Sequence, residues 1–534
     1  PLNRVRVRHI NSGGAFGGRS EVAPGDLVTS LLSIKAGRPV KLVLSREENA
    51  TSSRQVHDIV AVVKTGMKKD GTVIAKDFKV IYDGGAYSST GPIATSIPFY
   101  VYEECYRFPN VRYNGYRVFT NKGIRGMYGC HGRAFLAGNE AQMDIMAKEL
   151  GIDPVEIRLK NGLTAGETTA TKSKITSCGL AETIRAASEK TKFKERWAQK
   201  EDNKGIGMGC IAIMCGFPMG FRSGSSCYVK INDDGQVTLV TGLVDNGQGN
   251  ESMVVQVASE VLGVPMEDIN LVNADTEVTN LDPGAYSQAA AFVGANAVKA
   301  ACENARKRIV SIAAEKLGTE ENDIGLKNRM AYSISMPDKK MPISWVVREA
   351  FFRGEPIVAT GSYFPNIDFE REWVSRPWGQ MAGTFSFGTS VAEVDIDPET
   401  GKITMPRFTA AHDCGRPINP MAVEGQMDGS IQQAGVATIT EGNVWDNGFL
   451  LNPDLLEYKV PLACDMPEIE TLIVESHDPD GPFGAKEGGL TVRMNAYSAV
   501  ACAVTNATGK LFSELPLTPD KVLVLLDDNK GVKG

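Results

Sequence analysis

Apolar and polar positions along this chain repeat with two different periods. Alternation at period two predicts strands. After the turn-like Gly37-Arg38-Pro39, the segment "VKLVLS" alternates as a strand. The stretch "MKKDGTVIAKDFKVIYDGGAYSS" reads as a hairpin whose tight turn is Lys69-Asp70-Gly71. A second hairpin is "CYVKINDDGQVTLVTG", and a third joins "TSVAEVDI" to "ITMPRFTAAHD" through the turn "DPETGK". Helical spacing appears in "GNEAQMDIMAKELGIDPVEIRLKN", where Gly151 and Pro154 act as stop signals. It recurs in "ESMVVQVASEVLGVP", "NAVKAACENARKRIVSIAAEKLG", "AVEGQMDGSIQQAGVATITEG" and "RMNAYSAVACAVTNATG". Hairpins followed by helices predict an α+β architecture rather than a doubly wound parallel sheet. No repeat at a solenoid period is present.

At 534 residues the chain exceeds the size at which one core stops growing, so at least two domains are expected. The pattern divides into a first unit over 1–165, a polar, Thr- and Lys-rich connector with a short helix over 166–204, and a second unit over 205–534 that opens at "GIGMGCIAIM". The net charge of −7 argues against a nucleic-acid partner. No apolar run approaches the ~20 residues of a membrane span. The ten cysteines are scattered, without a C-x-x-C pair or ferredoxin spacing, which fits a reduced, cytoplasmic protein carrying no iron–sulfur cluster of its own. The five histidines are too dispersed for a local ligand motif, so no metal held directly by protein side chains is expected. A cofactor that brings its own metal remains compatible with this composition. The first residue is Pro1, so the absence of a signal peptide carries no weight.

Candidate chemistry lies in the glycines. Gly13, Gly14, Gly17 and Gly18 bracket the single aromatic Phe16, and further glycine-rich stretches are "GIRGMYGCHGR", "VDNGQGNES", "DPGAYSQ" and "GPFGAKEGG". Neither phosphate-loop pattern is matched. Either these are unrelated turns, or they converge on one extended ligand, each lending backbone N–H groups or one side chain. Gly247-Gln248-Gly249 stands just before the helix at Glu251, where backbone amides suit an anion and Gln248 both donates and accepts.

Taken in order, these stretches resemble the molybdenum-cofactor-binding subunit of the xanthine oxidase (molybdenum hydroxylase) family, in the branch containing hydroxybenzoyl-CoA reductases. "GGAFGGR" is similar to that family's GGGFGGK and "IRGMYG" to its FRGFG. "GQG" followed by "VLGVP", "GAYSQAAAFVGANAV", "HDCGRPINPMAVEGQMDGSIQQ" and "LLEYKVPLACDMPEIE" follow in family order. The resemblance implies two elongated mixed α/β domains with a molybdopterin cofactor buried between them. It implies the catalytic subunit of a multi-subunit oxidoreductase acting on an aromatic or carbonyl-containing small molecule. The cofactor would be molybdopterin cytosine dinucleotide with molybdenum, while 2Fe–2S clusters and FAD would sit on partner subunits. Phe16 would wall the substrate pocket, and Gly17 would let the main chain approach the metal. Arg125 would contact the cofactor, as would Lys486. Gly247, Gln248 and Gly249 would hold the dithiolene side of the pterin, and Gly284, Ala285, Tyr286, Ser287 and Gln288 would bind further along it. Family subunits carry a further N-terminal region that supplies a glutamine near molybdenum. The resemblance therefore implies either a split subunit, completed by a separate chain, or a fragment.

Two departures stand out. The family's catalytic glutamate, the general base of hydroxylation, falls on Leu490 in "GAKEGGL", with Glu487 three residues earlier. Either a rearranged loop brings Glu487 to the metal, or the site runs reductive dehydroxylation or hydration using Tyr128, Cys130 or His131, or the base comes from a partner chain. A non-catalytic scaffold paralogue is the remaining alternative. Arg19 and Ser20 stand where purine-oxidising members carry a glutamate, which disfavours purine.

Overall fold

The computed structural model describes residues 4–96, 99, 105–126, 129, 133–199, 201–217, 223–368 and 379–527. Three mixed sheets organise them. In the first, Ile59–Met67 runs antiparallel to Val73–Asp83, which pairs in parallel with Asn110–Val118. The second has the order Val358–Tyr363, Ser225–Ile231, Val237–Thr241, Ile269–Asn273, and its last pair is parallel. The third has the order Glu468–Val474, Ile403–Asp413, Thr384–Ile396, Lys204–Cys215. All three expected hairpins form, and the architecture is α+β.

The third sheet is where the chain closes on itself. Gly205, Gly207 and Gly209 alternate along one face of the strand Lys204–Cys215, against the helix Leu490–Thr508. A side chain at Gly207 would come within 2.1 Å of the Ala503 nitrogen and 2.3 Å of the Ala499 oxygen. Strand and helix therefore meet main chain to main chain, with small side chains such as Ala507 and Ser498 between them. The large core around this contact gathers Phe78, Phe135, Ile157 and Met208 from the first half of the chain with Phe385, Phe408, Val492 and Val500 from the last third. A second core, over residues 227–357, is built from Val229, Leu239, Val257, Val298, Ile309 and Val346.

Three segments differ from the sequence pattern. The alternating segment "VKLVLS" is not a strand. No described strand pairs with it, and Val43 remains 73% exposed. The helix Pro24–Ala36 just before it has no signature in the pattern and buries none of its residues, leaving Leu27, Leu31 and Ile34 exposed. The connector contains two helices, Leu180–Thr191 and Phe193–Ala198, whose Ile184, Ala187 and Phe193 enter the large core despite the polar surroundings.

Candidate functional site

A cavity of about 550 Å³ opens where both cores meet the N-terminal segment. Its walls come from Ser12–Phe16, Asn246–Asn250, Ala285–Ala291, Cys414 with Arg416–Asn419, the face of Pro420–Ser430, and Ala485–Leu490 with Arg493. Four of the glycine-rich stretches thus reach one space. The "GIRGMYGCHGR" stretch contributes no described lining residue, and touches the site through one backbone contact: the Gly129 N–H donates to the Phe16 carbonyl at 2.6 Å.

Phe16 sits in a tight turn closed by Gly18 N–H to the Ala15 carbonyl at 2.8 Å. Its own φ is +47°, and Gly14 at φ +108° lies beneath the ring. A side chain at Gly14 would meet the Phe16 ring at 2.4 Å, so this glycine makes room for the aromatic. The Gly17 carbonyl accepts from Arg54 Nη1 at 2.9 Å, and Gly17 does not line the cavity.

The helix Asn250–Leu262 starts against the cavity, yet its positive end is already answered. Asp245 accepts from the Gly247 N–H at 2.7 Å and the Glu251 N–H at 3.0 Å. The Gln248 side chain accepts from the Asn246 N–H at 2.7 Å, and the residue lines the cavity. Across the cavity, Ser287 and Gln288 stand at φ +57° and +52°, a strained pair of side-chain-bearing residues. The strain is held by Gly216 N–H to the Ser287 carbonyl and by the Ser287 hydroxyl to the Phe217 carbonyl, both 2.8 Å. Gln288 Oε1 is buried without a partner among the described residues. Ala285 and Tyr286 line the space, burial pushes the Tyr286 phenol upward, and Gly284 stays outside the lining.

Glu487 is 5% exposed and both its oxygens are engaged. Oε1 accepts the Ser386 hydroxyl at 2.7 Å, and Oε2 accepts the Leu490 N–H at 3.0 Å, where the helix Leu490–Thr508 begins. Its carboxylate therefore answers a helix N-terminus. Lys486 is among the lining residues, but its ammonium is engaged: Nζ donates to Asp413 Oδ2 and to the Ser476 hydroxyl, both at 2.8 Å. Leu490 lines the cavity, apolar where the family resemblance places a carboxylate.

Arg125 is fully buried but does not line the cavity. Its Nη1 donates to the Val56 carbonyl at 2.6 Å, and the guanidinium lies 4.7 Å from the Trp445 ring centroid. Burial lowers its pKa against the pull of Asp58 and Asp83. Beside it, burial pushes His57 down to about 4, helped by Arg117 and Arg125. Tyr128, Cys130 and His131 lie outside the described residues.

Sequence reasoning missed Arg416, Asn246, Gln433 and Arg493, which all line the cavity. Arg493 had a signal: it is the only charged residue in the helix Leu490–Thr508. A charge within an otherwise uncharged, buried helix needs a reason.

The lining suits a flat, polar, anionic ligand. Positions Gly13, Gly249, Gly425 and Gly429 have nothing within 4 Å of where a side chain would begin, so bare main chain faces open space. Gln248, Gln288, Gln426 and Gln433 offer donors and acceptors, and Arg416 and Arg493 offer positive charge. Two turns of π-helix, Ala290–Gly294 and Ile431–Val436, border the same space, a feature common at functional sites.

Comparison with known proteins points to one family. Models described as molybdopterin cofactor-binding domains match residues 1–162 and 183–467. A xanthine dehydrogenase molybdenum-binding subunit of Escherichia coli O157:H7 is 28% identical, over 98% of this chain and 69% of its own. The gamma subunit of the 6-hydroxypseudooxynicotine dehydrogenase complex of Paenarthrobacter nicotinovorans is 26% identical, over 98% of this chain and 67% of its own. Among solved structures, quinoline 2-oxidoreductase from Pseudomonas putida 86 superposes with a TM-score of 0.88 at 28% identity, covering 99% of this chain and 69% of that one.

Proposed function

The chain belongs to the family of molybdopterin cofactor-binding subunits of the xanthine oxidase type, and on that footing we propose that it is the catalytic subunit of a multi-subunit oxidoreductase acting on an aromatic or carbonyl-containing small molecule. The observation that carries this is the convergence of Phe16, Gln248, Tyr286 and Gln288, distant along the chain, on one cavity with bare main chain in its walls. When bound, the molybdopterin cofactor supplies a metal centre that exchanges electrons with substrate. The chain supplies the rest. Gln248, Gln288, Gln426 and Gln433 would hydrogen-bond the pterin heteroatoms, and the glycine-lined wall would admit its flat ring. Arg416, exposed and lining the cavity, would pair with the phosphates of a cytosine dinucleotide form. Phe16 shapes the substrate side and sheds water from it.

Electrons leave through partner chains bearing iron–sulfur clusters and FAD. The exposed apolar side chains of Leu27, Leu31, Ile34 and Val43 are the surface we assign to a partner chain.

A second mode of chemistry is favoured by one observation. Leu490 faces the cavity while Glu487 is committed to Ser386 and the helix start. A site with no free carboxylate among the described residues suits reductive dehydroxylation or hydration better than hydroxylation, because loss of a general base costs ~10²–10⁴-fold in rate. The test is metal and pterin analysis of the purified complex, together with substrate-driven reduction of the partner iron–sulfur centres. Stoichiometric molybdenum with such reduction is expected. Turnover without any electron acceptor would identify a hydratase, and bound cofactor without turnover on any aromatic or carbonyl substrate would identify a scaffold.

A further inference from the structure

Arg493 is 9% exposed and lines the cavity, one turn after Leu490 on the same helix. Its Nε is buried with no hydrogen-bond partner, and no carboxylate pairs with its guanidinium among the described residues. The one carboxylate in the cavity lining, Glu487, is engaged elsewhere. What Arg493 does touch is aromatic: its guanidinium lies 5.4 Å from the Phe16 ring centroid. A cation–π contact recovers only part of the cost of taking a guanidinium out of water. The position is nonetheless built for it. Gly129, at φ +65°, passes so close that a side chain there would meet Nη2 at 2.6 Å. Nothing bulkier fits over the guanidinium, and its charge is left for an occupant of the cavity.

We propose that Arg493 is the substrate anchor and that the substrate is an aromatic carboxylate. This rests on the cofactor-binding function proposed above, which assigns the Phe16 side of the cavity to substrate. The planar fork of arginine matches a carboxylate with two parallel hydrogen bonds. Stacking on Phe16 holds the fork in place. Leu490 and Phe16 then present apolar surface to the ring of an aromatic acid whose charged end is on Arg493. The apolar residue at 490 acquires a purpose here, since a carboxylate one turn from Arg493 would pair with the guanidinium and compete with the substrate. Arg493 acts by binding and orientation; it moves no proton, because its guanidinium stays charged throughout the accessible pH range.

The test is calorimetric titration of the purified complex with benzoate and with benzamide, which differ in charge at nearly equal shape. Wild type is expected to bind benzoate about tenfold or more tightly than R493Q does. Benzamide should bind both alike, and R493K, which keeps the charge but not the fork, should fall between them for benzoate. Equal benzoate affinity in wild type and R493Q overturns the proposal. Pterin and molybdenum content are measured on the same samples and should not change in R493Q. A fall in either assigns the arginine to the cofactor's phosphates and overturns the proposal equally. Absence of pterin from the wild-type complex defeats the function proposed above, whereas the benzoate–benzamide comparison needs no turnover and is read all the same.

Discussion

The Glu487 carboxylate accepts the Leu490 amide at 3.0 Å, and so stands at the positive end of the helix that forms one wall of the cavity. Substituting Glu487→Gln keeps the shape and removes the charge. The expected result is a loss of about 1 kcal/mol in stability, from the helix-end and charge-assisted hydrogen-bond contributions. Urea denaturation of the chain measures it. Turnover of the loaded complex should change little; a drop of ~10²-fold at unchanged stability would instead mark Glu487 as a proton acceptor.

Gly207 lies against the Ala499–Ala503 backbone with no room for one methyl group. Gly207→Ala should cost about 3 kcal/mol, because neither a sheet strand nor a fully buried helix can give way cheaply. A thermal melt is sufficient to check it, with Gly318→Ala as a comparison for handedness strain alone, since Gly318 at φ +64° has nothing within 4 Å.

His57 gives a pH dependence with a definite sign. Burial holds it neutral down to about 4 in the folded chain, whereas the unfolded chain takes up the proton near 6.5. The unfolded state therefore binds more protons between these values. The stability tied to His57 is fully present above 6.5 and is lost as pH falls toward 4, amounting to about 2 kcal/mol between pH 7 and pH 5. In His57→Gln the difference between urea midpoints at the two pH values should shrink accordingly.

Gln288 carries a buried oxygen without a partner in a strained turn on the cavity wall. If the pterin satisfies that oxygen, Gln288→Leu should release cofactor about tenfold faster on dialysis, the equivalent of one lost hydrogen bond. Fluorescence of the released pterin follows it directly.

Much of the fold was legible because burial and alternation coincide. Val73, Phe78, Val80 and Tyr82 are buried along one strand, while the turn at Lys69-Asp70-Gly71 fixes its register. Alternation reports which side a residue faces, not whether a neighbour strand exists, and "VKLVLS" shows the difference. The cavity loops were legible for another reason: main chain that must approach a ligand cannot carry side chains, so glycine marks it. Side-chain direction left no such mark. Nothing near Arg125 announces that it turns toward Trp445, which is distant in sequence. Lys486 likewise sits inside a stretch that reaches the cavity, yet its ammonium serves Asp413. Arg493 escaped notice because arginine in a helix ordinarily signals a solvated face.

The large core joins strands from the first half of the polypeptide to the helix Leu490–Thr508 near its end. A nascent chain leaving the ribosome therefore cannot complete this core until the helix Leu490–Thr508 has been made. The middle portion, residues 227–357, has a core of its own and can mature while the ends wait. The cavity, lined by residues from Ser12 to Arg493, comes into being only once both have been made. A pterin entering this cavity accordingly meets complete walls only after residue 493 has been made.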